Sequence, residues 1–127
     1  GGMTNMFKSA KVFNQDIGGW DVSKVKSFTG TFQGATAFNK PLTNWTTSSA
    51  ESMRSMFAYA TAFNSALPKL TFVKVRSRDW LEFMFNAANA FNQDLTKVCA
   101  TTISSEPTSF ASVAFLAANK PKWGTCP

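Results

Sequence analysis

One apolar pattern returns every 25 residues along this chain, and it restricts the fold more than any single residue does. Phe7, Phe32, Phe57 and Phe85 recur at spacings of 25, 25 and 28. Phe13, Phe38, Phe63 and Phe91 recur at the same spacings, each followed by an asparagine: Asn14, Asn39, Asn64 and Asn92. A fixed period of roughly 20–29 residues marks a repeat array, in which each unit buries its apolar face only against its neighbours. Such arrays mostly present surfaces, which favours binding over catalysis.

Further columns agree with this register. Ile17, Leu42, Leu67 and Leu95 align, as do Trp20, Trp45, Leu70 and Val98. The small residues Ala10, Ala35, Ala60 and Ala88 also align, and Thr31 stands where Met6, Met56 and Met84 stand in the other repeats. Three extra residues between the third and fourth repeats fall within Ser77–Trp80, which reads as a bulge or loop insertion. Phe110, Leu116 and Trp123 continue the columns into a degenerate last unit. The chain therefore divides into repeats at about 3–27, 28–52, 53–80 and 81–105, with a capping unit over 106–127, in a single domain.

Within a repeat, Met6, Phe7, Ala10 and Phe13 stand at helix-like spacings and predict a short helix. Ile17, Trp20, Val22 and Val25, around Gly18 and Gly19, predict extended pieces joined by a turn. The expected fold class is an α/β repeat solenoid: leucine-rich-repeat-like stacked coils, each a short helix plus short parallel strands, with a C-terminal cap. In such a stack the Phe columns are core. The Asn column is expected to hydrogen-bond backbone where the chain turns, rather than to touch a ligand.

The net charge is +6, and part of it follows the repeat. Lys24 and Lys26 lie two repeats from Lys74 and Arg76, and Arg78 follows. In an extended segment alternate residues share a face, so Lys74, Arg76 and Arg78 are expected to point together, with Glu51 interrupting the strip from the repeat between. These five cations form a candidate basic contact face for an anionic glycan or acidic protein. The alternative is a solvated edge that discourages strand addition. Nucleic acid is not expected as a partner, because Phe72 is the one aromatic interleaved with these cations and its column reads as core.

The two cysteines, Cys99 and Cys126, lie in the last regular repeat and the degenerate one. Neighbouring units approach closely enough for a disulfide that pins the last unit; two buried free thiols are the alternative. A disulfide implies an oxidising compartment, extracellular or luminal.

The chain has no histidine, which removes the commonest general base and metal ligand. No phosphate-binding loop or paired-cysteine motif is present. The acids Asp16, Asp21, Glu51, Asp79, Glu82, Asp94 and Glu106 do not converge in the pattern as a calcium site would. The expectation is a non-enzyme with no cofactor and no metal. No apolar run reaches the length of about 18 residues that a membrane helix needs. No signal peptide is visible, and Gly1-Gly2 reads as a cloning remnant or a natural linker. The N-terminus starts inside a repeat without a polar cap, so that first repeat is expected to be covered by further repeats or a partner subunit.

The strings MFKSAKVFNQDIGGWDVSKV and FMFNAANAFNQDL resemble the BspA-like surface-protein repeats, relatives of leucine-rich repeats first named as a domain of unknown function in Mycoplasma lipoproteins. The resemblance is strong in the first and fourth repeats and fair in the second. It is weak in the third, where LPKLTFVKV replaces the WDVS pattern, through drift or as a contact surface. The segment from Ile103 to Pro127 looks like the C-terminal cap of such arrays. The resemblance implies secreted or cell-surface proteins involved in adhesion, and carries no catalytic or ligand motif. The expected function is thus a non-enzymatic extracellular or cell-surface module that binds a protein or glycan. Lys8, Lys11, Lys40, Arg54 and Tyr59 are unranked surface candidates. The alternative is a structural or accessory subunit of a larger assembly, such as an algal one, in an oxidising lumen. A lattice binder is disfavoured because Thr46 and Thr71 are flanked in their column by Asp21 and Cys99.

Overall fold

In the computed structural model, which describes residues 2–127, the 25-residue register organises the packing but neither helix nor strand carries it. Among the described residues the helical segments are two 3-10 turns, Arg78–Leu81 and Ala117–Asn119. Among the described residues the ladder pairing is limited to two isolated parallel bridges, Ser27 with Ser52 and Phe85 with Ala111. The α/β solenoid of short helices and parallel strands is therefore overturned.

Each repeat is a succession of tight turns. In the first, the N–H groups of Met6, Lys8, Ala10, Phe13, Trp20 and Val25 each donate to the carbonyl three residues earlier. Between these turns, Met3 donates instead to Ser27 at the repeat boundary, and Asn5, Phe7 and Ser9 donate to Thr29, Thr31 and Gln33 of the next repeat, at 2.7–2.9 Å. The second and third repeats follow the same rule: Phe28, Gly30, Phe32 and Gly34 donate to Ser52, Arg54, Met56 and Ala58, and Met53, Ser55, Phe57 and Tyr59 donate onward to Trp80, Glu82, Met84 and Asn86.

The helix fails for a stated local reason. Residues at i and i+3 meet in a single β-turn as well as in a helix, so the spacing of Phe7, Ala10 and Phe13 suits both. What separates them is backbone handedness. Asn5, Gly30, Ser55 and Phe83 form one column of positive φ, near 60°, and Ser9, Gly34, Tyr59 and Ala87 form a second. A left-handed residue recurring every fourth position breaks a right-handed helix before its second turn. It also keeps consecutive residues from extending into a strand.

Phenylalanine fills the interior. The Phe7–Phe32–Phe57–Phe85 column stacks at centroid separations of 5.5, 5.3 and 5.4 Å, with rings within 12° of parallel. The Phe13–Phe38–Phe63–Phe91 column stacks at 5.6, 5.8 and 5.6 Å. Inside a repeat the two columns touch at 4.1–4.4 Å. Each such pair contributes about 0.5–1.5 kcal/mol beyond its buried area. Beside the rings, each asparagine Oδ1 accepts the backbone N–H of the next member: Asn39 on Asn14, Asn64 on Asn39 and Asn92 on Asn64, at 2.8–2.9 Å.

The stack ends at the last unit. Phe110 turns edge-on to Phe85 at 74°, and Phe115 tilts against Phe91. The register slips here by one residue. Phe115, not Leu116, joins the core, while Leu116 takes the asparagine position with its N–H on Asn92 Oδ1 and its side chain exposed. Trp123 stacks on Phe72 at 6.2 Å. Cys99 and Cys126 are bridged, with Cα atoms 4.1 Å apart. No helix among the described residues is long and apolar enough to cross a membrane.

Candidate functional site

The period breaks at Ser77–Trp80, and the break builds a surface. Ser77 caps the 3-10 turn by accepting the Asp79 N–H on its Oγ at 3.2 Å. Trp80 then gives its carbonyl to Met53 N–H at 2.9 Å, which fixes its backbone in the repeat-to-repeat register. Its ring is left outside the Phe columns and is 49% exposed. Arg54 clamps the insertion from beneath: its Nη1 donates to the Asp79 carbonyl and pairs with the Glu82 carboxylate, and its guanidinium lies over the Phe83 ring at 5.3 Å.

Trp80 overhangs a cavity of about 490 Å³ lined by Lys26, Ser49, Glu51, Lys74 and Arg76. A second hollow of about 270 Å³ shares Lys26, Glu51 and Trp80 and adds Ser27 and Ser52. Together they form one trough crossing three repeats. Ser27 and Ser52, which line the second hollow, belong to a run of hydroxyls: Thr4 with Ser27 at 2.9 Å, Ser27 with Thr29 at 3.2 Å, and Thr29 with Ser52 at 2.7 Å. The backbone N–H groups of Glu51 and Ser52 both donate to Lys26 O, so the charged rim sits on a fixed frame.

Three cations face one carboxylate around this trough. Among the described residues the ion pairs are Arg54–Glu82 and Lys120–Glu106, so Lys26, Lys74, Arg76 and Glu51 enter none there. Such a trough can bind an anion and offer a carboxylate, hydroxyls and an aromatic face to neutral parts of the same ligand.

The five cations nominated by the sequence are thus divided. Lys26, Lys74 and Arg76 meet at the trough. Lys24 does not line it, and Arg78 opens the 3-10 turn and donates to Ser105 Oγ at 3.0 Å. Lys74 and Arg76, two residues apart, share the trough with Val75 buried between them. Phe72, whose column reads as core, is fully buried. Arg54, one of the surface candidates, is tied to the insertion. Trp80 was not singled out by sequence reasoning; the signal available was an aromatic inside the one insertion that interrupts the period. No cluster of three or more His, Cys, Asp or Glu able to hold a metal occurs among the described residues.

A family described as Mycoplasma protein of unknown function, DUF285, matches residues 1–98. No curated protein and no solved structure matches the chain. The match takes in the first three repeats, most of the fourth and every residue lining the trough. By this match the chain belongs to the DUF285 family of Mycoplasma proteins of unknown function.

Proposed function

We propose that this chain is a non-enzymatic interaction module of the cell surface or extracellular space, which holds a protein or glycan partner in the Trp80 trough. The observation that carries the reading is the insertion. The periodic core takes one insertion, and the insertion leaves a half-exposed tryptophan beside cations that enter no ion pair among the described residues. Aromatic and arginine side chains at one concave site are the usual anchors of recognition. The Cys99–Cys126 bridge supports an oxidising compartment. The likeness of the repeat strings to BspA-like surface proteins belongs to the same proposal.

The test is binding of the purified chain to a panel of glycans and extracellular proteins, repeated with Trp80→Ala and with Lys74→Ala/Arg76→Ala. All these side chains are exposed, so the variants are expected to melt within a few degrees of the wild type while losing the partner. Partner binding that survives both variants would place recognition elsewhere.

An assembly subunit is the second reading, and one observation favours it. Trp20 is 44% exposed and Met6 50% exposed on the first repeat, whereas Trp45 and Met56 one and two repeats on are buried. Light scattering separates the two: a monomer at micromolar concentration favours the module, and self-association lost on Trp20→Ser favours the subunit.

A further inference from the structure

We infer that the trough takes an anionic saccharide, a sugar chain whose rings carry carboxylate or sulfate groups. This rests on the trough being the binding site, and it names the ligand class.

Three features of the trough select this chemistry together. Lys26, Lys74 and Arg76 supply positive charge for isolated acid groups, and the Arg76 guanidinium offers the forked donor geometry that matches a carboxylate or sulfate. Glu51 sits among them on the same wall. A ligand that presents charge without hydroxyls beside it, such as a phosphate backbone, would meet repulsion there. A hydroxylated ligand instead donates to Glu51, so the acid groups must sit on rings that also carry hydroxyls.

The remaining walls fit the uncharged part of a sugar. Ser49 and Ser52 present hydroxyls that can still donate or accept, whereas the Ser27 hydroxyl is fully engaged by Thr4 and Thr29. The half-exposed Trp80 indole offers a flat apolar face on which the C–H face of a pyranose ring can stack. The main hollow, about 490 Å³, lies within the range of small-ligand sites, roughly 300–1,000 Å³. An acidic peptide would satisfy the cations, but its backbone offers no apolar ring face to stack on the Trp80 indole.

The experiment is a calorimetric titration of the disulfide-bonded chain with four probes at matched concentration and low salt. The probes are a polyuronate hexamer, a heparin-derived hexasaccharide, a neutral cello-oligosaccharide and a single-stranded oligonucleotide. At least one anionic saccharide is expected to bind ten-fold or more tighter than both the neutral sugar and the oligonucleotide, and to weaken as salt rises. Comparing the two acidic sugars tells carboxylate from sulfate. Trp80→Ala and Arg76→Ala are each expected to cost ten-fold or more, and Trp80→Phe, which keeps a ring face, to recover part of the loss.

Equal affinity for the neutral sugar overturns the anionic assignment, and preference for the oligonucleotide overturns the saccharide assignment; both leave the trough as the binding site. Acidic-sugar binding indifferent to Trp80→Ala and Arg76→Ala overturns the placement. Failure of all four probes overturns the inference, while a protein partner sensitive to the same variants would still uphold the module.

Discussion

Asn39 and Asn64 show how a single residue type can serve a repeat. Each offers a side-chain oxygen to the N–H of the asparagine one repeat on, so the column links the repeats beside the Phe stack. The left-handed columns make a sharper case, because their occupants differ while their backbone does not. Gly34 holds φ of 72° without a Cβ penalty, and Ala87 holds φ of 57° with one. A left-handed L-residue costs about 1–2 kcal/mol, against about 0.5–1 kcal/mol of extra chain entropy for glycine. Ala87→Gly is therefore expected to stabilise the fold by about 0.5–1 kcal/mol, seen as a thermal midpoint a few degrees higher. Gly34→Ala should lower the midpoint by a similar amount, since the added Cβ would meet only ordinary contacts at 3.5 Å and φ alone sets the effect. Opposite signs in both variants would refute this reading of the turns.

Asp21 and Asp94 carry a second residue-scale prediction. The Ser23 hydroxyl and then its N–H bond the Asp21 carboxylate, and Thr96 does the same for Asp94, holding both pKa values below the usual 3.8. A depressed folded pKa means that the turn's stabilisation is present above the ordinary carboxylate value. It is lost only as pH falls below about 3.8, through the folded value. The Asp21→Ala/Asp94→Ala variant should thus be less stable at neutral pH and show a shallower fall in thermal midpoint below pH 4. Parallel melting-versus-pH curves for variant and wild type would count against the turns.

At the scale of elements, burial was legible in the sequence and the elements were not. The columns Phe32, Phe57 and Phe85, or Leu42 and Leu95, are buried as periodicity requires, because burial depends only on which residues share a position. Helix against turn depends on backbone handedness. The glycine pair Gly30 and Gly34, four apart, carried that signal, and Tyr59, Phe83 and Ala87 concealed it elsewhere. The trough was half legible for the same reason. Lys26, Lys74 and Arg76 follow the period, whereas Trp80 sits in the residues that depart from it. The insertion also depends on Arg54, whose carbonyl bond, ion pair and ring contact hold the 3-10 turn. Arg54→Ala should cost only about 1 kcal/mol in overall stability, because the pair is partly exposed. Its larger effect should be local: faster amide exchange at Trp80 and Glu82, with Phe32 and Phe57 unchanged. Uniform exchange across these four amides would mean that the insertion does not rely on Arg54.

For the whole molecule, cohesion runs along the stack. Among the described residues, the backbone hydrogen bonds between repeats join consecutive units, so a terminal unit is held from one side only. The last unit has the weakest register of all: its rings leave the parallel stack, and the Trp123 Nε1 is buried without a partner. A buried, unpaired donor costs about 1–3 kcal/mol. The Cys99–Cys126 bridge offsets that weakness by closing 27 residues of chain, a constraint on the unfolded state of about 3–4 kcal/mol. Reduction, or Cys126→Ser paired with Cys99→Ser, should therefore act unevenly. Amides that bind the last unit, Leu95 on Asn119 and Ala100 on Thr125, should lose protection first. Those of Phe32 and Phe57, three and two repeats away, should keep most of theirs, because a stack of neighbour contacts frays from its end. Hydrogen exchange with and without reductant reads this directly. Equal loss at Ala100 and Phe32 would show that the chain unfolds as one unit, with the bridge stabilising the trough as much as the cap.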